Sequence, residues 1–404
     1  MVKNRKPELL APAGDMERLI MALHYGADAV YLAGTEFGMR AAAGNFGDND
    51  MRRAIKMCHE KGVRVYVTCN TLPRETEIYR LPEYLEKLND AGADALIVAD
   101  LGVIALAKKY APDCALHVST QLGVVNSETC RVLWDMGITR AVLARELSLV
   151  EIAELRRNIP AEMELEAFVH GAMCVSFSGR CLLSNYMVNR DANRGECAQP
   201  CRWKYHLVEE KRPGEYFEIS EDGGTYILNS NDMCMIEHLP ALLEAGITSL
   251  KIEGRMKSAY YAAAVTNAYR HALDSAVANT PLSSVWVEEL EKISHRSYST
   301  GFFFGEPGQH YSRNDTIYFT SAEVCAVVES CDKDGNAKLT QRNKFLVGDN
   351  LELLTNDSEP VPFMVEKIRN AEGEEIEGAP HPMMELQMKL PRACEPLSIL
   401  RRTK

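Results

Sequence analysis

The sequence predicts a (β/α)8, TIM-like barrel followed by a small all-β domain. Short apolar runs alternate with helical segments at a spacing of roughly 25–30 residues, as in βαβ units. The runs are apolar on both faces, which is typical of parallel strands buried between layers. Eight such runs fit a closed barrel. A doubly wound open sheet is the alternative, but no GxGxxG motif follows the first run, so a dinucleotide site has no support.

The barrel elements follow one another through the first 276 residues. The predicted strands are residues 8–14, 28–34, 63–70, 94–100, 115–121, 139–144, 164–170 and 248–253. The predicted helices are residues 16–26, 48–59, 79–90, 101–110, 127–137, 149–158, 241–246 and 259–276. Asp15 is a candidate N-cap for the first helix. Gly26, Gly92, Gly137 and Gly246 stand where a left-handed C-cap would end a helix just before a strand.

The domain organisation has two parts. The barrel domain is expected to span residues 1–305, with a cysteine-bearing insertion at 171–247 between strands seven and eight. Within the insertion, residues 216–218 and 226–228 look like short extra strands. Residues 306–404 contain short β-like runs separated by Asp-Gly and Gly-Asp turns, which predict a small C-terminal β-barrel.

Composition limits the classes of partner. A hydrophobic fraction of 46% fits a protein with a substantial core, and the net charge of −12 excludes a uniformly basic surface. Any contact with nucleic acid therefore needs a local patch. The N-terminus lacks the apolar core of a signal peptide, and no apolar run reaches about 18 residues. We expect a cytoplasmic protein without a membrane partner, whose thiols stay reduced.

Four of the 12 cysteines lie between residues 174 and 201, at positions 174, 181, 197 and 201, and Cys234 follows. Thiols this dense in a reducing compartment indicate a metal site, either a 4Fe–4S cluster or zinc. Structural zinc usually shows two close cysteine pairs, whereas this stretch has one, the CxxxC of Cys197 and Cys201. Unligated thiols are the third alternative. Spacing does not decide which four of the five cysteines would bind a metal.

The insertion is also basic and aromatic. Its candidate RNA-binding residues are Arg180, Arg190, Arg194, Arg202, Trp203 and Lys204. Phe177, Tyr186 and Tyr205 could stack an unpaired base, as Trp203 could. The alternative is a solvated loop whose arginines bond to local carbonyl groups or to cluster sulfurs.

The run EAFVHGAMCVSFSGRCLLS, residues 166–184, is similar to the signature of the collagenase-like peptidase family U-32. ELLAPAG, HVSTQ, RDANRGECAQPCRW, LNSNDMC and SLKIEGRMKS resemble further family blocks, so the resemblance covers nearly the whole chain. The best understood branches hydroxylate RNA or ubiquinone. The most similar branch implies conversion of the tRNA wobble uridine to 5-hydroxyuridine, with prephenate as the oxygen source and tRNA as a partner.

The resemblance also implies a cofactor and further partners. The hydroxylation branches carry a 4Fe–4S cluster, and matching the motifs implies the ligands Cys174, Cys181, Cys197 and Cys234, with Cys201 as an alternative. Electron-transfer or cluster-assembly proteins would then be partners. Some relatives act as heterodimers, so homo- and hetero-oligomers both stay open.

Barrel active sites form at the carboxyl ends of the strands, so polar residues there are expected at the mouth. The candidate catalytic residues are Glu146, Glu166, His170, Lys251 and Glu253. The candidate substrate-binding residues are Arg40, Asn70, His117, Gln121, Arg145 and Arg255. Guanidinium groups suit a dicarboxylate such as prephenate. By strand alternation, His117, Ser119 and Gln121 share one face, as do Glu166, Phe168 and His170.

Each of these assignments has a structural alternative. A histidine on a strand is more often a core residue than a catalytic one. The charged run from Lys251 to Arg255 either binds a carboxylate or forms an internal salt-bridge layer that closes the barrel.

Two other functions stay open. The family label implies a protease, but the sequence has no HExxH or GxSxG motif, and its Cys–His candidate is Cys174 with His170. The second is a noncatalytic, cluster-bearing partner of a hydroxylase.

Overall fold

The structure is a computed structural model. It describes residues 6–39, 44–203, 207–208, 216–217, 230–305 and 320–403.

Eight parallel strands form the predicted closed barrel. They are β1 Glu8–Pro12, β2 Ala29–Leu32, β3 Arg64–Cys69, β4 Ala95–Val98, β5 Ala115–Val118, β6 Arg140–Val142, β7 Glu164–Ala172 and β8 Ser249–Ile252. Each strand pairs with the next through β7, and β8 pairs with both β7 and β1. That double pairing closes the sheet and confirms the predicted fold.

Helices cover the outside of the barrel. They are Met16–His24, Asp48–Glu60, Glu75–Ile78, Leu81–Ala91, Leu101–Tyr110, Ser127–Asp135, Leu149–Arg157, Leu239–Glu244, Ala259–Ala278 and Ser284–Glu291. Their ends carry the expected signals. Asp15 Oδ1 accepts the Arg18 N–H at 2.9 Å. The four predicted cap glycines all have positive φ, from 82° to 98°. Among the described residues, no helix combines the length and hydrophobicity needed to cross a bilayer.

Apolar side chains pack in two places, outside the strands and inside the barrel. The main hydrophobic core lies between the strands and the helices, where alternate strand residues meet the apolar helix faces. A much smaller apolar cluster lies inside the barrel, around Leu10, Tyr31, Tyr66 and Ile97. The rest of the interior holds ion-paired side chains and, at the carboxyl ends of the strands, the mixed polar and apolar lining of the candidate site.

The insertion follows β7 and returns to it. Helix Leu183–Val188 lies within it, and strand Asp232–Cys234 pairs antiparallel with the end of β7, so that Cys234 lies opposite His170. Tyr298–Ser299 adds to the same edge. Of the two extra strands predicted, Tyr216–Phe217 pairs with Leu207–Val208, whereas 226–228 lies outside the described residues.

The predicted all-β domain is confirmed as an antiparallel half-barrel. Its strands are Ala322–Cys331, Asn336–Gln341, Phe345–Leu346, Asn350–Leu354, Val361–Met364, Ile368–Arg369, Glu375–Ile376, Gly378–Ala379, Glu385–Lys389 and Ile399–Thr403. Eight of them form one sheet over a separate apolar core. The domain is attached through the fully buried Arg401, whose guanidinium contacts Glu289 at 2.5 Å and Glu352 at 2.8 Å.

Candidate functional site

A cavity of about 200 Å³ opens at the carboxyl ends of the barrel strands, under the insertion. Strand ends supply its floor and walls, including Asn70, Phe168 and Glu253, and the insertion covers it with Cys174 and Arg202 among others. This is the end of the barrel where the sequence predicted the site.

Ion pairs fill the barrel below the cavity. Lys251 Nζ lies 2.8 Å from Glu166 Oε1, and Arg140 Nη1 lies 3.0 Å from Glu166 Oε2 and 2.6 Å from Glu8 Oε1. Burial alone would raise the pKa of Glu8, but Arg140 and Arg64 hold it below its ordinary value. These residues form an internal salt-bridge layer. For Lys251, this was the alternative to binding a carboxylate substrate.

The expected positions of Glu166 and His117 at the mouth are wrong. Glu166 is the third residue of β7 and lies fully buried within the ion-pair layer. The His117 ring lies edge-on to Tyr66 at 4.7 Å, and it does not line the cavity. Burial first, then Arg140 and Lys251, lower the pKa of His117 well below its usual range, so the ring is neutral. A strand pattern gives the face of a side chain but not its depth along the barrel axis.

His170 lies on the other side of β7 from the cavity, which also corrects the prediction. Its ring packs among Tyr261, Tyr269 and Tyr298, with centroids 5.3–5.9 Å apart. The pairing with β8 is irregular here, because Lys251 pairs with Phe168 but Ile252 pairs with His170. This bulge interrupts the alternation that would have turned the ring inward. Burial lowers the pKa of His170 to about 3.

Arg145 and Glu146 are adjacent in the chain, but only Arg145 lines the cavity. The Arg145 guanidinium stacks 3.9 Å from the Phe168 ring centroid, lines the cavity, and donates from Nη1 to the Ala172 carbonyl at 3.0 Å. Glu146 instead accepts hydrogen bonds from the Ser178 N–H at 2.7 Å and the Ser178 hydroxyl at 2.8 Å. It therefore fixes the insertion to the sixth strand end.

The end of β8 contributes opposite charges. Glu253 and Arg255 both line the cavity. The Tyr31 hydroxyl lies 3.0 Å from the Ile252 carbonyl oxygen and 3.2 Å from Glu253 Oε2, and Arg255 Nη1 lies 3.4 Å from the Thr68 hydroxyl. Tyr31, Thr68 and Phe168 were not predicted as functional residues. The signal was available, since each is placed by strand alternation to point into the barrel.

On the opposite wall, Asn70 and Gln121 form an amide pair. Asn70 Nδ2 donates to Gln121 Oε1 at 3.0 Å, and both residues line the cavity. Ser119 caps the short 3-10 turn Thr120–Leu122 that carries Gln121.

Four of the five candidate cysteines line the cavity, namely Cys174, Cys181, Cys197 and Cys201. Burial raises the pKa of Cys201, and the other three thiols contribute to the rise, which indicates that they lie near it. Two of the sulfurs accept backbone N–H groups, Cys181 from Leu183 at 3.3 Å and Cys197 from Gln199 at 3.4 Å.

Cys234 lies away from this wall. Its sulfur is 3.8 Å from the Tyr269 hydroxyl, and burial raises its pKa to about 11. In the described part of the chain, no three His, Cys, Asp or Glu side chains form a ready metal site. The cavity cysteines fit an iron–sulfur cluster by donor type and by N–H···S contacts, and they would have to converge to bind one.

The predicted RNA-binding residues lie in different surroundings. Arg190 and Arg202 line the cavity, and Arg180 is exposed. Arg194 pairs with Glu77 of the barrel domain, so it also holds the insertion in place. Trp203 is 38% exposed, and Phe177 and Tyr186 are more exposed still. Arg40, Lys204 and Tyr205 lie outside the described residues.

A family model described as peptidase family U32 matches residues 14–313, and one described as the peptidase family U32 C-terminal domain matches residues 320–401. The chain belongs to peptidase family U32. It is 37% identical over 408 residues to the tRNA hydroxylation protein P1 of Bacillus subtilis (strain 168), with 100% of this chain and 96% of that protein covered.

Two further relatives are named for hydroxylated RNA. The chain is 36% identical to the tRNA hydroxylation protein P of Escherichia coli (strain K12), over 96% of this chain and 95% of that protein. It is 34% identical to the 23S rRNA 5-hydroxycytidine C2501 synthase of the same organism, over 80% of this chain and 46% of that protein. The two tRNA hydroxylation proteins match nearly the whole of this chain, and the rRNA synthase matches most of it.

Proposed function

We propose that the chain is an iron–sulfur-dependent RNA-modifying enzyme that hydroxylates C5 of the tRNA wobble uridine, with prephenate as the oxygen source. RNA hydroxylation is supported by the names of the full-length relatives. The structural observation that carries the proposal is the charge of the cavity. Among its described lining residues, the basic side chains are Arg145, Arg190, Arg202, Arg255 and Lys251, of which Lys251 is paired with Glu166, against the single acid Glu253. In a chain of net charge −12, this local excess favours an anionic substrate.

Two guanidinium groups are suited to a dicarboxylate. Arg145 is held flat on Phe168, and its buried Nε has no hydrogen-bond partner among the described residues. A carboxylate that approached its edge would supply the missing acceptor. Arg255 lies near Thr68, which faces the same cavity. The two arginines would thus bind the two carboxylates of prephenate.

The insertion supplies groups for the RNA strand. Tyr186 is 82% exposed and Phe177 is 54% exposed, and exposed aromatic rings stack unpaired bases regardless of sequence. Arg180 and Arg190 stand near them in the chain and can neutralise phosphates. The wobble nucleotide would then leave the anticodon stack and enter the cavity below.

Glu253 is the residue that we propose for proton transfer. It is the carboxylate among the described residues of the cavity lining, and its Oε2 lies 3.2 Å from the Tyr31 hydroxyl. In a balanced exchange the C5–H bond and the prephenate C–O bond break as the C5–O bond forms. The electron pair of the C–O bond stays on the prephenate carbon, and Glu253 would accept the C5 proton and pass it to that carbon. Lys251 and Glu166 lie below and would keep the floor rigid and charge-balanced.

We propose Cys174, Cys181 and Cys197 as three ligands of a 4Fe–4S cluster and Cys234 as the fourth, following the family resemblance, with Cys201 as the alternative. The backbone N–H groups of Leu183 and Gln199 would continue to bond to the cysteine sulfurs. A bound cluster would supply one-electron transfer at the cavity wall.

Nucleoside analysis of tRNA tests the function. A strain that lacks this gene and its paralogues is expected to lose 5-hydroxyuridine derivatives, and the wild-type chain is expected to restore them. Unchanged levels in the deletion strain would overturn the tRNA assignment. No second function is proposed. The protease candidate pair fails geometrically, since no histidine lines the cavity in the described ranges and His170 faces the tyrosines.

A further inference from the structure

A chain of amide hydrogen bonds with a fixed direction runs along one wall of the cavity. The Met39 backbone N–H lies 3.4 Å from Asn70 Oδ1 and donates to it, and Asn70 Nδ2 donates to Gln121 Oε1 at 3.0 Å. Asn70 Nδ2 also lies 3.5 Å from the Ser119 hydroxyl.

The direction of this chain is set by the backbone. An amide side chain can turn by 180°, but a backbone N–H is only a donor. Because Met39 donates, Asn70 must present its oxygen to Met39 and its NH2 group to Gln121. Gln121 must then present its oxygen to Asn70. The remaining end of the Gln121 amide, the Nε2 donor, points the other way.

That donor has no protein acceptor in the part of the chain that the structure describes, and Gln121 lines the cavity while being only 7% exposed. An NH2 group whose amide oxygen is already bonded is a donor of fixed direction, and this one faces the cavity. A ligand that fills the cavity displaces water from this donor, so a ligand with an acceptor at that point is favoured over one that leaves the donor unpaired.

We propose that Gln121, oriented by Asn70, reads the 4-position of the pyrimidine and selects uracil over cytosine. This rests on the proposed function, in which C5 is the reacting carbon. The neighbouring C4 carries an oxygen acceptor in uracil and an amino donor in cytosine. The Gln121 NH2 group matches the first and opposes the second. Gln121 is therefore a specificity residue that touches the base, and Asn70 is a positioning residue that acts through it.

Two substitutions would each make position 121 present an acceptor to the cavity in place of the NH2 donor, one by changing Gln121 itself and one by turning it. Gln121→Glu keeps an oxygen for Asn70 and replaces the cavity donor with an acceptor. Asn70→Asp leaves Gln121 unchanged but offers it only acceptor oxygens, so the Gln121 amide must turn and present Oε1 to the cavity. Both variants should behave alike, although only one changes the residue that touches the base.

The test uses the full-length protein and two fluorescent anticodon stem-loop RNAs that differ only in uridine or cytidine at the wobble position. Wild type is expected to prefer the uridine RNA, and each variant is expected to lower the uridine-to-cytidine affinity ratio on the order of 100-fold. Gln387→Glu, an isosteric change on the C-terminal sheet, should keep the wild-type ratio. Thermal unfolding of each variant checks that it is folded.

Nucleoside analysis of tRNA separates the two claims. If wild type forms 5-hydroxyuridine and the binding ratio is unchanged in both variants, the base-reading inference is overturned and the proposed function stands. If wild type forms no 5-hydroxynucleoside but the binding ratio falls as expected, the proposed function is overturned and the base-reading inference stands. If only Gln121→Glu changes the ratio, the positioning role of Asn70 is overturned.

Discussion

Lys251 and Glu166 form a buried ion pair between the adjacent strands β8 and β7, with Nζ 2.8 Å from Oε1. Lys251 also lines the cavity, whereas Glu166 lies deeper and pairs with Arg140, which in turn pairs with Glu8. The floor of the candidate active site is thus the upper end of the ion-pair layer inside the barrel.

Glu166→Gln is expected to destabilise the protein by about 3–5 kcal/mol, because it leaves buried cations without their anion. Urea unfolding followed by circular dichroism measures the change. Glu128→Gln is the control, since its pair with Arg131 is exposed and contributes less than about 1 kcal/mol. Equal stability of the two variants would contradict a structural role for the Glu166 layer.

Glu253→Gln is expected to lower the rate of tRNA hydroxylation by about 10²–10⁴-fold while RNA affinity stays the same, as for loss of a proton acceptor. Single-turnover assays with reconstituted protein measure the rate, and fluorescence anisotropy measures the affinity. Tyr31→Phe removes only the hydroxyl beside Glu253 Oε2 and should give a smaller loss. A wild-type rate in Glu253→Gln would exclude the proposed role.

Glu146→Ala is expected to loosen the insertion without unfolding the barrel, because it removes both hydrogen bonds to Ser178. Limited proteolysis should cut between residues 173 and 203 faster than in wild type, with a global stability loss of only about 1–2 kcal/mol. Glu154→Ala, on an exposed helix surface, is the matched control. Equal cleavage rates in both variants would refute the anchoring role.

Cysteine variants identify the cluster ligands. Cys174→Ser, Cys181→Ser and Cys197→Ser are each expected to lose most of the iron, measured by iron and sulfide analysis and by absorbance after anaerobic purification. Cys58→Ser, in the barrel core, should retain it. Loss of iron in Cys234→Ser with retention in Cys201→Ser is the expected pattern for the fourth ligand. The reverse pattern would assign Cys201, and iron in all variants would exclude this site.

His170 should make stability depend on pH. Burial lowers its folded pKa to about 3, whereas the unfolded chain has a value near 6.5. The unfolded state therefore binds the proton first, so stability is lost as pH falls from about 6.5 towards 3, by up to about 1.4 kcal/mol per pH unit. His170→Phe keeps the packing and should reduce that loss in urea titrations at pH 7 and pH 5. The exposed His381→Gln should not, and equal slopes in all three proteins would contradict the assignment.

Periodicity and cap signals were sufficient to predict the barrel. Apolar runs specify strands because burial on both faces is a local property of each run, and the glycines with positive φ marked the helix ends. The position of the cysteine-bearing insertion followed from counting strands.

The site was predicted less well, for two physical reasons. Glu166 is the third residue of β7 and lies in the floor, whereas Glu253 directly follows β8 and lies in the cavity, and the stagger of the strands sets how far each position is from the mouth. The bulge opposite Lys251 and Ile252 turned His170 away, and a bulge depends on pairing between distant segments.

The sequence by itself determined the fold, the family and the presence of thiols and cations beside one end of a barrel, because these depend on residue types in local order. Only the tertiary structure decided which charges cancel and which face the cavity, and in which direction the Asn70–Gln121 amides donate. Those properties depend on distances between side chains far apart in the chain, which closure of the barrel fixes.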